Sequence, residues 1–482
     1  MASRIYSHGP YAQERATSLI APKEATAGLQ VIIGTAPVNM LVNPQEAVNV
    51  PIMVGTYKEA VESIGYHEDF EQYTLCESVY VNFNIAPTAP LILINVLDPK
   101  KHSKNIQETT VTAIDGIARI EETGLLPGTL TVTKDGTELE MDVDYTAAFN
   151  NDGTLNIVLP AGGNPELTIT GKKLDPTLIT YQDIIGGVDM DTGEETGLEV
   201  IRQIYPKFNL VPGIITAPRW SRNANVSAAV QAKTKDINGV FRCVCVVDID
   251  SSPEGAVKYA DVKRQKERQA VNDANAYAVW PYAKVGDQIF SGSALASALT
   301  AYTDGDNGNI PNVSPSNKAL SISAACLPDG TEILLDQEQA NVVNSYGVAT
   351  FLNMNGWRLW GNNTAVYPAS TDPKDRWFAV RRFMSWAANT FILTYFQKVD
   401  NPMNSRLKEA IIDSENIRGN SFVARGICAR YEMVYLEEEN PTTNLMNGVI
   451  TFHQYITPYT PAEDIENIIE FDPYALSSAL LG

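Results

Sequence analysis

Continuous apolar runs that alternate with helical patterns are the feature of this sequence that most restricts its fold. LQVIIGTAPV (29–38), APLILINVLD (89–98) and GVFRCVCVVDID (239–250) are each long enough for one strand. Strands that are apolar on both faces are typical of a sheet covered by helices. The helical patterns that would cover it lie within 51–65, 256–273, 293–304 and 334–347. We therefore predict an α/β protein of several domains, because 482 residues exceed the usual size of one core.

The segment 101–185 has a different pattern, which predicts an inserted all-β module. Asp135 and Gly136 separate two alternating runs, a strong hairpin signal. Asp152 and Gly153 indicate a second turn. These turns and short strands favour a small β-sandwich inserted into the α/β core.

The two ends of the chain indicate extended segments. Residues 1–28 lack a clear apolar period and read as an arm. The last part begins with a helical stretch at 376–397 and ends in two strand-like runs, 448–458 and 464–473.

Histidine is too scarce for several familiar kinds of catalysis. The four histidines are His8, His67, His102 and His453, so none lies between 103 and 452, where most of the α/β region falls. A Ser-His-Asp or Cys-His site within that region is excluded by the residue inventory. No phosphate-binding glycine motif is present, so the sequence predicts no cofactor.

Candidate metal ligands have simpler explanations. Cys243 and Cys245 could present two thiolates from one face of a strand, but a structural zinc site needs four ligands. We interpret them as buried thiols of a core strand. The segments 305–308 and 248–255 could suggest calcium, yet they lack the ligand spacing of an EF-hand and favour turns. We predict no metal site.

Charge is unevenly distributed along the chain. The formal net charge of −21 disfavours nucleic-acid binding. No apolar run is long enough to cross a bilayer, and the first residues lack a secretion signal, so we expect no membrane insertion. Residues 371–431 contain ten Lys or Arg and six Asp or Glu, whereas 432–482 contain nine Asp or Glu and neither Lys nor Arg. This contrast fits either surfaces that meet other subunits or ordinary solvated faces.

The segment LNMNGWRLWGNNTAVYP (352–368) places two tryptophans among asparagines and glycines. The polar residues are turn formers. Trp357 and Trp360 could stack on a sugar, cover a pocket or anchor two parts of the fold. We interpret them as anchors between the α/β core and the C-terminal domain.

Several motifs resemble those of contractile tail sheath proteins. GDNGNIPNVSPSNKALSI (305–322) and LNMNGWRLWGNNT (352–364), followed by RWFAVRRF (376–383), are similar to motifs of that family in the same order. The resemblance covers most of the chain. One departure is Asn363, where the family commonly has arginine, which puts in doubt any ion pair that arginine would form.

The resemblance implies a fold and a set of domains. These are an N-terminal exchange arm (1–28), a subtilisin-like α/β core without a catalytic triad (29–100 and 186–360), an inserted outer β-domain (101–185), an α/β C-terminal domain near the tube (361–458) and a C-terminal exchange arm (459–482).

The resemblance also implies a function, namely that of a sheath subunit rather than an enzyme. Such a subunit polymerises helically, as stacked hexameric rings, around an inner tail tube. The sheath contracts to drive the tube through a bacterial envelope, using energy stored in the extended assembly. The implied partners are other copies of the chain, the tube protein, and baseplate and terminator proteins. The implied location is a virion tail or tail-like particle, assembled in the bacterial cytoplasm.

Three groups of residues follow as candidates. The arm contacts between subunits are Ile5, Tyr6, Ile465, Ile468, Ile469 and Phe471. The basic residues that would face the tube or a neighbour are Arg381, Arg382, Lys398, Arg406, Lys408 and Arg418. The structural residues of the motifs are Ser314, Pro315, Asn317, Lys318, Gly356, Trp360, Gly361, Asn362 and Thr364.

A different class of function stays open at this point. A carbohydrate-binding or hydrolase-like protein could use Trp357 and Trp360 as a stacking platform, with the nearby asparagines as polar partners.

Overall fold

The computed structural model describes residues 23–24, 26–150 and 152–481. The candidates Ile5 and Tyr6 therefore lie outside the described residues. The first part of the chain supplies three strands of the main sheet and two helices that cover it. Its elements are β1 (Lys23–Glu24), β2 (Gln30–Gly34), β3 (Pro51–Val54), α1 (Tyr57–Ile64), α2 (Thr74–Tyr80), β4 (Thr88–Ala89) and β5 (Leu91–Asn95).

Helix α1 shows how the local sequence sets its ends. The Thr56 side chain accepts a hydrogen bond from the Glu59 amide at 3.2 Å, which caps the first turn. Gly65 ends the helix with a φ of 75°. A Cβ at this position would lie 2.3 Å from the Pro37 carbonyl oxygen, so the close approach also requires glycine.

The inserted segment forms two antiparallel sheets around a core of its own. One sheet has the order β10-β9-β13-β7 and the other β11-β12-β8. Alternating residues of both sheets, such as Ile120, Ile157 and Leu167, form a separate buried cluster. The predicted hairpin at Asp135-Gly136 joins two of these strands. The elements are β6 (Ser103–Asn105), β7 (Thr109–Thr112), β8 (Ile117–Ile120), β9 (Thr131–Lys134), β10 (Thr137–Leu139), β11 (Thr146–Phe149), β12 (Leu155–Val158), β13 (Glu166–Thr170) and β14 (Lys172–Leu174).

The chain then returns to the main sheet. The helices of this part are α3 (Tyr181–Ile185), α4 (Ile204–Phe208), α5 (Ala224–Ala232), α6 (Val262–Arg268), α7 (Gly292–Asp306) and α8 (Gln337–Ser345). The strands are β15 (Gly186–Val188), β16 (Glu195–Gly197), β17 (Ile214–Thr216), β18 (Val244–Asp248), β19 (Ala276–Val279), β20 (Tyr282–Val285), β21 (Gln288–Phe290), β22 (Ala324–Cys326), β23 (Glu332–Ile333), β24 (Val348–Asn353) and β25 (Trp357–Trp360).

The main sheet has eight strands in the order β25-β24-β19-β18-β17-β2-β5-β3. The six central strands are parallel, and the two outer strands are antiparallel to their neighbours. Every residue of β2, β5, β18 and β19 is buried, which requires cover on both faces. Helices α2 and α7 pack against each other and the sheet, α5 packs on β18 and α8 on β24. The predicted mixed α/β fold is confirmed.

The C-terminal part packs two long helices against a small sheet. Its elements are α9 (Pro373–Arg376), α10 (Phe378–Tyr395), α11 (Ser405–Ala424), β26 (Cys428–Val434), α12 (Thr442–Met446), β27 (His453–Pro458) and α13 (Pro473–Leu481). Strands β26 and β27 pair antiparallel, and α11 lies on β26. Its core includes Phe383, Phe422 and Tyr431.

Two predicted elements differ from the structure. The helix expected over 256–273 is confined to α6, because Ala270 adopts a left-handed φ of 51° that ends it. The strand expected over 464–473 does not form: residues 464–472 have no regular secondary structure and pair with no described strand, and α13 follows them. An alternating sequence forms a strand only where a sheet edge is available to pair with it.

Candidate functional site

The two signature motifs form one structure at the β25 edge of the main sheet. Residues 314–318 run beside 357–362, so the loop extends the sheet edge. The hydrogen bonds that join them are Ser314 Oγ to Asn362 Oδ1 (2.7 Å), Asn317 N to the Leu359 carbonyl (2.6 Å), Arg358 Nη1 to the Asn317 carbonyl (2.8 Å) and Gly361 N to Ser316 Oγ (2.9 Å). Pro315, Gly361 and Thr364 are buried, whereas Lys318 is exposed.

The turn between β24 and β25 explains another of the predicted residues. Asn355 and Gly356 have φ angles of 54° and 100°, which favour asparagine and glycine. Gly356 therefore forms the hairpin rather than a contact with the other motif residues. Trp357, directly after the turn, packs partly against the main core and donates its indole N–H to the Ser323 carbonyl at 3.0 Å.

Trp360 faces a groove of about 600 Å³ that contains part of the C-terminal segment. Residues 461–464 line this groove together with Lys318, Asn341 and Asn362. The Trp360 indole N–H donates to Asn341 Oδ1 at 3.4 Å. Both tryptophans thus lie on the edge strand β25. Trp360 lies close to residues 461–464, which begin the C-terminal segment.

Arg376 holds the start of that segment. Its Nη2 lies 2.7 Å from Glu463 Oε2, and its Nε donates to Asn363 Oδ1 at 2.8 Å. The guanidinium also lies 4.0 Å from the centre of the Trp377 ring. Asn363, the departure from the family pattern, is a neutral acceptor that orients Arg376. A second arginine at position 363 would compete for Glu463 and repel Arg376.

Beyond Glu463, a segment without regular secondary structure exposes its apolar residues. Ile469 is 88% exposed, which is unusual for a large aliphatic side chain. Charged and apolar residues alternate here, so a strand formed by this segment would have one apolar face. The exposed apolar residues are the four predicted candidates Ile465, Ile468, Ile469 and Phe471.

The junction between the main sheet and the C-terminal part differs from the sequence interpretation. Besides the groove at Trp360, contacts from β19 and α7 to α10 join the two parts. Tyr277 and Phe378 stack with ring centres 4.2 Å apart. Arg382 was predicted to face the tube or a neighbour, but it is only 4% exposed and forms two hydrogen bonds with the buried carboxylate of Asp304. That prediction was wrong for Arg382, because the helix face that carries it packs on the core.

The remaining basic candidates are of two kinds. Lys398 and Arg406 are exposed and keep their charge at the surface. Arg381 lies 3.5 Å from Asp375, and Arg418 forms an ion pair with the buried Glu415 at 2.9 Å. Lys408 lies 4.8 Å from the centre of the Tyr435 ring. Their contact with a tube or a neighbour stays a prediction.

A buried polar network resembles a catalytic cluster but has a structural role. Asp248 accepts hydrogen bonds from the Ser293 hydroxyl at 2.6 Å and the Ser221 hydroxyl at 3.1 Å. Glu77 pairs with Arg219 at 2.7 Å and accepts from the Ser291 amide. Burial raises the pKa of both carboxyl groups. The two carboxylates bind amides at the start of α7, so they cap a core helix.

The cysteines are buried thiols, as predicted. Cys243 and Cys245 have almost no solvent exposure, and burial raises the pKa of both. Among the described residues, no three His, Cys, Asp or Glu side chains are grouped as a metal site would require. Nor does the described part of the chain contain a helix with the length and apolar character to cross a bilayer.

Comparisons with known proteins agree over nearly the whole chain. No family model matches it. The tail sheath protein of Burkholderia phage BcepMu is 24% identical over 477 residues, which is 95% of each protein. A chain in the anti-feeding prophage baseplate structure is similar in fold, with a TM-score of 0.59 and 13% identity, covering 97% of this chain and 99% of its own. A chain in the contracted sheath complex of the PVC extracellular contractile injection system gives a TM-score of 0.57 and 13% identity, covering 98% and 100%.

These similarities relate the chain to phage tail sheath proteins in sequence and to chains of contractile injection systems in its α/β fold. The chain is a relative of the contractile tail sheath proteins, and the resemblance found in its motifs is confirmed. Sequence reasoning missed the Arg376–Glu463 contact. The only available signal was a glutamate shortly after the last strand, because nothing in the sequence relates positions 87 residues apart.

Proposed function

We propose that this chain is a tail sheath subunit that polymerises helically around an inner tail tube. Contraction of the polymer would drive the tube through a bacterial envelope. The observation that carries this proposal is segment 464–472, which exposes four large apolar side chains, pairs with no described strand and begins beside the Arg376–Glu463 ion pair. The BcepMu relative is named as a tail sheath protein, which supports the same function.

The exposed segment has the properties of a strand donated to a neighbouring copy. Its unpaired amide and carbonyl groups would pair with a sheet edge of that copy. Burial of each large apolar side chain contributes about 1.5–3 kcal/mol. A contact of this kind joins different surfaces on the two copies, so repetition generates a helix unless the rotation closes. Stacked hexameric rings would satisfy the same rule.

Other features fit the sheath assignment at a finer level. The parallel sheet with a buried Ser-Asp network suits a subtilisin-like core whose larger part, 186–360, contains no histidine. The inserted β-unit has its own core and would lie on the outside, while the C-terminal part would face the tube. Baseplate and terminator proteins would cap the polymer in a virion tail or tail-like particle assembled in the bacterial cytoplasm.

Contraction in this scheme uses stored conformational energy. The extended polymer would be a metastable state, and triggering would let subunits move as rigid bodies into tighter contact. Segments such as 464–472 would keep neighbours connected during that movement. The carbohydrate-binding alternative is less well supported, because the chain's own residues 461–464 line the groove at Trp360.

Deletion of residues 464–482 tests the proposal. The truncated chain retains Glu463 and all three buried clusters, so we expect a folded monomer that forms no tubes in negative-stain electron micrographs. A matched control replaces Ile465, Ile468 and Ile469 with valine, which preserves strand propensity and should permit assembly. Normal tubes from the truncated chain would contradict the role of this segment.

A further inference from the structure

The β15–β16 hairpin carries a prominent apolar side chain between acidic residues. Met190 is 92% exposed at its tip. Asp189 and Asp191 flank it, and residues 186–198 contain four carboxylates and no Lys or Arg. A single exposed methionine in an acidic setting is poorly suited to solvent but well suited to a partner surface, because methionine adapts to irregular cavities.

The tip is held in a defined shape. The Asp189 carboxylate accepts hydrogen bonds from the amides of Asp191 and Thr192, both at 2.9 Å. The Asp189 amide donates to the Glu194 carbonyl at 2.9 Å, and Gly193 has a φ of 75°. A fixed turn loses little conformational entropy on binding. The turn therefore holds Met190 in a fixed position before a partner binds.

A cavity of about 450 Å³ at another place has the complementary character. It lies between the end of α6 and the loop 365–369. Its apolar walls include Ala270, Val271, Ala365, Val366, Pro368 and Ala369. Lys263 and Glu267, which are exposed, and Lys266, which is buried, also line it. Across 257–268 there are five Lys or Arg and two acidic residues, so this region is basic in an acidic protein.

Lys266 gives an independent indication of a missing partner. It is almost fully buried, and its ammonium donates to the carbonyls of Tyr346 and Tyr367. Among the described residues its hydrogen-bond partners are thus neutral carbonyls rather than a carboxylate. An ammonium has three donors, so a carboxylate from outside could still be bound. Burial lowers its pKa to about 8, as expected for a poorly compensated charge.

The hairpin and the cavity lie toward opposite ends of the main sheet. The hairpin joins the β3 end, where Gly197 donates to Asn49 Oδ1 at 2.9 Å. The cavity adjoins the other end, where the Ala365 amide donates to the Ala276 carbonyl at 2.8 Å beside β19. This arrangement places the hairpin far from its own cavity, whereas a second copy can reach it.

We propose that Met190 of one copy inserts into the cavity between α6 and loop 365–369 of the next copy, with Asp191 paired to the lysines that line it. This contact joins two different surfaces, so it propagates from subunit to subunit. It deepens the proposed function by assigning a second subunit contact, distinct from the C-terminal segment, on the rigid main domain.

Disulfide crosslinking in assembled tubes tests this contact. The five native cysteines are buried, so an engineered pair at Met190→Cys and Ala369→Cys is selective. Under mild oxidation the two thiols lose their hydrogens to the oxidant and form one S–S bond. We expect a ladder of dimers and higher oligomers on denaturing gels. The matched control pairs Ala369→Cys with Ile114→Cys, an exposed site in the inserted unit, and should stay monomeric.

The outcomes separate this contact from the sheath function. Tubes without a ladder would overturn the contact and leave the sheath function standing. Failure of the unmodified chain to form tubes would overturn the sheath function itself. A ladder equally strong in the Ile114→Cys control would also count against the contact, since it would indicate nonspecific collision.

A charge exchange covers the case in which Met190→Cys prevents assembly. Asp191→Lys and Lys263→Glu should each lower the yield of tubes by about tenfold, because each opposes two like charges. The double variant should restore the yield to within about twofold, as expected for a direct pair. Failure of the double variant to recover would overturn the contact, whatever the fate of the cysteine variant.

Discussion

Two arginines of the same motif, Arg376 and Arg382, hold carboxylates in opposite ways. Arg382 is buried, and two of its guanidinium nitrogens donate hydrogen bonds to the carboxylate of the equally buried Asp304. Arg376 is partly exposed and contacts Glu463 through one nitrogen while its face covers Trp377. The first pair joins two folded parts of the chain. The second joins the body to an otherwise unpaired segment.

The difference between these two ion pairs indicates which parts of the chain move together. A desolvated, two-nitrogen pair is strong while both partners remain, and removal of one leaves a buried charge. A partly exposed pair contributes about 0.2–1 kcal/mol and can be exchanged for other contacts. The main domain and the C-terminal part should therefore move as one body, whereas the C-terminal segment can change direction at Glu463.

The largest expected effect comes from breaking the buried pair. Arg382→Leu leaves the Asp304 carboxylate buried without its partner and should lower the free energy of unfolding by about 3–5 kcal/mol. Chemical denaturation measures this loss. The adjacent Arg381→Leu is the control, because its 3.5 Å contact with Asp375 is long and partly exposed. If Arg382→Leu and Arg381→Leu cost the same, the distinction between buried and exposed arginines fails.

The pH dependence of the stability of Arg382→Leu provides a second test of the buried ion pair. Burial raises the pKa of Asp304, and Arg382 opposes the rise. Removal of Arg382 should raise this pKa further. A carboxyl with a raised pKa in the folded state contributes stability at low pH that is lost as pH rises. The deficit of Arg382→Leu should therefore shrink as pH falls from about 7 to about 5, and a constant deficit would contradict the buried-charge explanation.

The sequence predicted the main architecture because local patterns of apolar and turn-forming residues specify its strands and hairpins. Apolar runs such as 29–38 became β2, and Asp135-Gly136 formed its hairpin. Local patterns do not specify which face of a helix meets which neighbour. Arg382 was therefore assigned to the surface although it is buried against Asp304 of α7, and the strand expected at 464–473 does not form with any described residue.

A middle-sized effect is expected at the tryptophans of β25. Trp357 packs against the main core, so Trp357→Ala should cost about 2–3 kcal/mol, less than for a fully buried ring. Trp360 lies in the open groove, and Trp360→Ala should cost about 1 kcal/mol. Thermal or chemical unfolding of both variants measures the ratio. Equal losses would mean that the groove side of β25 is as firmly packed as its core side.

The smallest effect on stability, and the most informative about assembly, is expected at Glu463. Glu463→Gln keeps the shape of the side chain but removes the charge that Arg376 binds, so unfolding should change by less than about 1 kcal/mol. Tube formation should nevertheless decline, because the segment 464–472 would leave the body in varied directions and lose orientation toward a neighbour. Arg376→Lys is the matched variant: it retains the charge but loses the planar contact with Trp377 and the hydrogen bond to Asn363. Electron microscopy of both variants, beside denaturation curves, separates orientation from stability. If Glu463→Gln destabilises the monomer as strongly as Arg382→Leu, the contact at the start of the segment is part of the rigid body, and the contrast between the two arginines does not hold.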